Sequence, residues 1–220
     1  MRLASTSLPL IVSYLLSGAA SAAPPAAVVL FDDTPRPDVA ILALAPDTTH
    51  RLDGEKVTAD AALRTTFPDS AIELARSKRL DGGAALTLQW RQIWKSGVAL
   101  QTAPQDLRPF LARGTLAFDL KVDALDAGGL MVKVGCGPSC ERQVPYVLPG
   151  RAAQGKGWQR VVLALSCFAR DGDDFSQVAR PFALEGTGSG QVGIANVAIA
   201  AGGTPNTACP DWRTARWHST

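Results

Sequence analysis

The stretch TLAFDLKVD, Thr115–Asp123, alternates without a break. Leu116, Phe118, Leu120 and Val122 take one side, and Thr115, Ala117, Asp119, Lys121 and Asp123 the other. A period of two places one face in a core and leaves the other wet. A strand of this kind needs partners that bury the same face, and the sequence supplies them. Short apolar runs recur at Val28–Phe31, Val39–Leu44, Lys56–Asp60, Ala85–Ile93, Val98–Gln101, Gly129–Val134, Gln159–Leu165, Pro181–Gly186 and Gln191–Ala200, with Gly, Pro and Asp between them. Many short strands between turn signals indicate an all-β sandwich or barrel. Helical signals are few: Pro104–Leu111 predicts a turn or two, and Asp174 is placed to cap a turn over Phe175–Val178. In Gln191–Ala200 the apolar parity switches between Ile194 and Val197. That requires either a bulge near Ala195 and Asn196 or burial on both faces.

The N-terminus sets the compartment. Arg2 is followed by the uncharged apolar run Leu8–Leu16 and then by small residues, with Ala20 and Ala22 at the positions a signal peptidase reads. This three-part pattern predicts a secretory signal peptide over 1–22, a linker over 23–27, a domain over 28–205 and a tail over 206–220. The apolar run is too short for a permanent anchor, which takes about 20 residues, so the mature protein is expected in the periplasm or outside the cell and not spanning a membrane. Thiols oxidise there, and an even count of cysteines reads as disulfides. The chain has four cysteines. In GCGPSC the spacing is C-x-x-x-C, not the C-x-x-C of thioredoxin-like motifs. Zinc would need four ligands in paired spacing, and the only histidines, His50 and His218, lie far from the pair. Of the three possible connectivities the sequence favours Cys136–Cys140, because Gly137 and Pro138 let a short loop turn back on itself. That leaves Cys167–Cys209 to tie the tail to the domain.

The formal net charge is +2, one unit of which is Arg2, and no basic run suggests a nucleic-acid partner. No G-x-S-x-G or H-E-x-x-H is present. His50, in DTTHRLDG, reads as an exposed loop residue. GTGSG (Gly186–Gly190) lacks the Lys-Ser/Thr of a phosphate loop and reads as a hairpin turn. DGDD (Asp171–Asp174) lacks the oxygen spacing of a calcium loop and reads as a cap and turn. Sandwich binding modules often carry a structural calcium, and Asp32 and Asp33, after the first strand, are the candidate ligands; no other cofactor is expected.

The aromatic residues bear on sugar binding, because an indole face lies against the C–H face of a sugar while nearby polar groups take the hydroxyls. Trp90 and Trp94 bracket QWRQIWK. In an unbroken strand both would point to one face; the alternative is one tryptophan in the core and one at the rim. Lys133 lies between the core-facing Val132 and Val134 and so points outward. Trp90, Arg91, Trp94 and Lys133 are the candidate carbohydrate-binding residues. Trp212 and Trp217, in PDWRTARWHST, could instead dock a protein partner.

Three stretches, VKVGCGPSC (Val132–Cys140), GWQRVVLALSCFARDGDDFSQVARPFALEGTG (Gly157–Gly188) and VGIANVAIA (Val192–Ala200), follow LTLQW (Leu86–Trp90) and DLRPFLARGTLAFDLKVD (Asp106–Asp123) in order. Together they resemble the C-terminal galactose-binding-like domain of ExoP-type glucan glucohydrolases of glycoside hydrolase family 3, over roughly 80–200. The resemblance implies a jelly-roll β-sandwich with one or two short helical turns and a role facing carbohydrate, such as a β-glucan. It makes Trp158, in the family's G-W pair, a structural residue at the sandwich edge. It does not imply catalysis, because that family's hydrolytic machinery lies in preceding domains. The expected partner is a polysaccharide or oligosaccharide, with an envelope protein or a glycosidase as further candidates. The competing expectation is a structural or protein-interaction sandwich of the envelope that binds no sugar.

Overall fold

Two very long strands organise the molecule, because each bends and serves both layers of a sandwich. The computed structural model describes residues 27–60, 70–126 and 128–209. In chain order the elements are β1 (Ala27–Phe31), β2 (Ala40–Leu44), β3 (Thr49–Arg51), β4 (Lys56–Asp60), β5 (Ala71–Lys78), β6 (Ala84–Gln101), β7 (Thr115–Leu125), β8 (Leu130–Gly135), β9 (Glu141–Pro145), α1 (Val147–Ala153), β10 (Trp158–Ala164) and β11 (Phe182–Ala200). All pairings between these strands are antiparallel. The first half of β6 and the second half of β11 form one layer, in the order β10-β7-β11-β6-β5-β4. Their other halves form the second layer, β9-β8-β11-β6-β2-β3. β1 closes onto the end of β11.

The inward faces of both layers meet in one core. The alternation of β7 holds: Leu116, Phe118, Leu120 and Val122 are buried, and they share the core with Leu86, Leu88 and Ile194 of their own layer and with Val98, Leu100, Val132 and Phe182 of the other. Phe118 and Phe182 meet across the layers edge to face, 5.2 Å between centroids. Burying each such side chain stabilises the fold by about 1.5–3 kcal/mol.

The sequence suggests two strands on either side of GTGSG, joined by a hairpin. β11 instead runs through it unbroken. The glycines are needed because Trp90 packs there: a Cβ at Gly186 or Gly190 would lie 2.5 or 2.4 Å from the indole. β6 is likewise one strand where the sequence suggests two. Between Trp90 and Ser96 it spans six steps against four on β11, from Gly190 to Gly186. The two extra residues lengthen the outside of the bend. Gln92 takes a positive φ of 48° there. It is pinned by Ser189 Oγ, which accepts its N–H, and by the Ser70 hydroxyl, which donates to its carbonyl. A second bulge interrupts β11 between Ala195 and Ala198, where Asn196 has φ 49°, the first of the two outcomes that the broken parity allows.

The helical turns are small: a 3-10 turn at Arg108–Phe110, another at Leu165–Phe168, and α1, which the sequence does not signal. Residues 175 and 176 form a turn, not a helix, with Asp174 accepting the Ser176 amide, and Val178 bridges to Gln105.

Both disulfides close as favoured, Cys136–Cys140 and Cys167–Cys209. The second fastens the segment ending at Cys209 along the edge of β10. Asn206 donates its N–H to Val162 O, accepts Val162 N–H on its side chain, and donates Nδ2 to Arg160 O. An edge strand covered in this way is no longer open to pairing with another chain. Trp212, Trp217, His218 and the signal-peptide stretch lie outside the described residues. No helix among the described residues is long and apolar enough to cross a membrane.

Candidate functional site

The outward face of the β10-β7-β11-β6 layer carries one aromatic ring laid across it. Trp158 begins β10 opposite Lys121 of β7, and Lys121 is opposite Gly193 of β11. A Cβ at Gly193 would lie 2.7 Å from Cη2 of Trp158 and 3.1 Å from Cζ2. The indole therefore reaches from β10 over β7 and lies along the sheet, with its six-membered ring on Gly193. Gly193 is buried beneath it, while Trp158 is half-buried and outside the core cluster. The glycine makes the arrangement possible, since any side chain there would lift the ring. The sequence reading makes Trp158 a structural residue at the sandwich edge, and its strand, β10, is an edge strand. Its side chain is on the outside of the sandwich.

Polar side chains carpet the strands beside the ring. Two residues along β11 and β6, Gln191 and Gln89 are cross-strand partners. They share the outward face, and neither amide is hydrogen-bonded to a described residue. Each offers an N–H donor and a carbonyl acceptor, the pair of functions that vicinal hydroxyls require. On β7 Lys121 and Asp123 pair at 2.8 Å. Thr87, next to Gly193, donates to Ser77.

One end of this face is rigid and charged. Asp119 accepts from Arg79 Nη1 (2.8 Å), Arg160 Nη1 (3.0 Å) and Asn196 Nδ2 (2.6 Å). The bulge at Asn196 turns its amide to the carboxylate. Arg79 also holds Asp81, whose carboxyl the guanidinium, with help from the Gly83 amide, keeps below the usual carboxylate range.

The residues singled out from sequence fall in different places. Trp90 is 0% exposed, with Nε1 donating to Thr187 O, so its ring has no free face for a ligand. The strand is not unbroken, and one extra residue between Trp90 and Ile93 separates the two tryptophans: Ile93 turns inward and Trp94 outward, 55% exposed. Arg91 is exposed in the same outward column of β6 as Gln89, and its side chain makes no hydrogen bond to a described residue. Lys133 is on the other layer, paired with Glu185 at 2.6 Å and near Glu141 at 3.8 Å. Arg91 and Trp94 are thus continuous with the Trp158 face, and Lys133 is not. Trp94 is seven residues along β6 from Thr87, the residue level with Trp158, at most about 24 Å.

Of the loop carboxylates, Asp32 accepts Thr34 N–H at 2.9 Å, and Asp33 accepts Ala84 N–H at 2.6 Å beside a cleft of about 640 Å³. Among the described residues the one cluster with metal-ligand geometry is Cys136, Cys140 and Asp173, and both sulfurs are in the disulfide. His50 sits on β3 against Thr48 Oγ1.

Comparison with known proteins places this geometry in context. The Exop_C family, galactose-binding domain-like, matches residues 52–199. The exo-1,3/1,4-beta-glucanase ExoP from a Pseudoalteromonas species aligns with a TM-score of 0.62 at 15% identity, over 84% of this chain and 22% of that one. This chain therefore spans about a fifth of that enzyme. The extra C-terminal domain of the same glucanase, taken alone, aligns at 0.61 and 16% identity, over 82% of this chain and 95% of the domain. The family 30 carbohydrate-binding module of the cellulosomal cellulase Cel9D-Cel44B of Clostridium thermocellum aligns at 0.54 and 17%, over 83% and 99%. At these identities the likeness is one of fold. No curated protein sequence matches.

Proposed function

From the premise that the chain belongs to the Exop_C galactose-binding domain-like family, we propose that it is an exported, non-catalytic carbohydrate-binding domain whose glycan lies along the outward column of β6. The carrying observation is the Trp158 ring held across β7 against Gly193, beside the unbonded amides of Gln89 and Gln191. A polysaccharide following the column Thr87, Gln89, Arg91 meets an aromatic at each end, Trp158 and Trp94, and hydrogen-bonding groups between. The stacking term is sequence-tolerant and the amides orient the sugar. The fold matches of a carbohydrate-binding module and of a glucanase accessory domain support this reading, and so does the pair of disulfides, which suits an oxidising compartment. The signal peptide over 1–22 supplies the export route, and a β-glucan is the first polymer to try.

The test is retention of the mature protein on insoluble and soluble glucans, galactans and xylans, with albumin as blank. Retention should be competed by oligosaccharides of the same polymer, longer ones better. Trp158→Ala and Trp94→Ala should each weaken it, and together abolish it. Retention unchanged in the double variant would remove the column as the site. No retention on any polymer would favour the protein-interaction sandwich.

A further inference from the structure

The second layer ends in a pocket that the sheet-face site does not use. It has a volume of about 490 Å³, within the range of small-ligand sites. Its walls come from three separated stretches: Gln101 at the end of β6, the disulfide loop Gly137–Cys140 with Glu141, and Ala179–Arg180 before β11. We propose that this pocket binds one neutral hexose unit, such as the free end of a glycan, independently of the Trp158 face.

Three observations carry the inference. The pocket is preorganised. The Cys136–Cys140 disulfide and the hydrogen bond from Cys136 N–H to Cys140 O lock one wall. Thr102 N–H to Ala179 O and Gly135 N–H to Arg180 O zip the others together. A wall already fixed loses little entropy when a ligand arrives.

The pocket also offers uncommitted polar groups. Arg180 gives Nη1 to Glu141 Oε1 at 2.7 Å, while its Nη2 has no acceptor among the described residues and its Nε is buried without one. Folded proteins seldom keep a buried donor unpaired unless the site has a use. The Ser139 hydroxyl and the Gln101 amide line the same space, and neither is bonded to a described residue. Guanidinium, hydroxyl, amide and carboxylate together supply donors and acceptors for several hydroxyls.

The charges balance as well. Arg180 is matched by Glu141, and Lys133 beside it by Glu185. A site whose charges are already paired does not select an ion, so the ligand class is a neutral polyol ring and not a sugar acid or phosphate.

The pocket is tested by chemical-shift mapping of the ¹⁵N-labelled, disulfide-intact protein against glucose, galactose and xylose, with glucuronate as the charged probe. A neutral sugar should shift the amides of Gln101, Gly137–Glu141 and Arg180. Arg180→Met and, separately, Gln101→Ala should weaken that response about tenfold with the rest of the spectrum unchanged. Trp158→Ala should leave it intact, so loss of the sheet-face site would not affect it. The assignment is overturned if none of these amides moves with any sugar, if only glucuronate moves them, or if both variants respond as the parent does.

Discussion

Gly193→Ala separates a binding role for Trp158 from a structural one, because the two readings predict opposite results. The new methyl would lie 2.7 Å from Cη2 and 3.1 Å from Cζ2 of the indole. Ordinary carbon contacts are about 3.5–4.0 Å, so the ring must rise by roughly an ångström. It can, because the clash is with the far end of a side chain on an open face, and a modest χ rotation costs about 0.5–1.5 kcal/mol. Gly193 has no positive φ among its backbone features, so the alanine itself is accepted. Removing a glycine's freedom from the unfolded chain returns about 0.4–1 kcal/mol. The two effects nearly cancel, and the midpoint of urea unfolding should shift by no more than the equivalent of about 1 kcal/mol. Binding should not be spared. A ring lifted and tilted off the sheet no longer shares a plane with the hydroxyl partners at Gln89 and Gln191. Loss of most of an aromatic anchor is worth about 1–2 kcal/mol by the scale of interface truncations, or roughly five- to thirtyfold in Kd. Affinity electrophoresis in the retained polymer measures this directly. A variant that is as stable as the parent and binds as tightly would refute the Trp158 platform. A variant that is several kcal/mol less stable would show that Trp158 belongs to the fold.

Three further outcomes follow from the same geometry. Trp90→Ala should lower stability by about 3–5 kcal/mol in urea unfolding, since it empties a fully buried site and strands the Thr187 carbonyl; full stability in this variant would contradict the packing at Gly186 and Gly190. Replacing Cys209 with Ser opens a bridge of sequence separation 42, worth about 4 kcal/mol by loop closure, and hydrogen exchange along β10 should accelerate as Asn206 lets go; unaltered exchange there would mean the edge is held without the disulfide. Asp173 accepts from Arg142 and from the Arg170 amide, and the Arg142 bond holds its carboxyl below the usual aspartate range. A depressed pKa contributes stability that is complete above the unfolded value of about 3.9 and is lost as pH falls through the folded one. Asp173→Asn should therefore cost about 1.5–3 kcal/mol at neutral pH, with the gap to the parent closing only in acid below about pH 4; a gap independent of pH would show that charge is not the cause.

The layers of this fold were legible because core-facing residues alternate. Leu116 to Val122 announce themselves, and so does the switch of parity before Val197. Strands with weaker patterns were not visible. β5, AIELARSK, shows only Ile72 and Leu74 to the core before charged residues take over, and β9, ERQVP, buries Val144 alone. The glycines mislead for a physical reason. GTGSG is a turn by local propensity, but its glycines answer to the Trp90 side chain more than ninety residues upstream, and no local signal encodes that. The same applies to Trp158. Its neighbour Gly157 was visible, while Gly193, the residue that lets the ring lie down, is distant in sequence and sits within an apolar run.

Which tryptophan faces a ligand depends on one inserted residue that periodicity cannot see. Counted by twos, Trp90 and Trp94 share a face, and both belong to a binding platform or neither does. The bulge at Gln92 breaks the count. Its backbone adopts a conformation that non-glycine residues enter seldom and at a cost. Here Ser189 and Ser70 hold it from either side. The consequence is a division of labour: Trp90 goes inward and holds the corner against Gly186 and Gly190 of β11, and Trp94 goes outward. At the opposite end of the same face Asn196, the other non-glycine residue with positive φ among those described, gives its side chain to Asp119 and holds the charged end rigid. The two bulges thus bracket the column on which the glycan is proposed to lie. Each bulge is cross-linked by polar side chains, so the face between them is held at both ends by the backbone. A flat polymer needs that property from a sheet that would otherwise twist along its length.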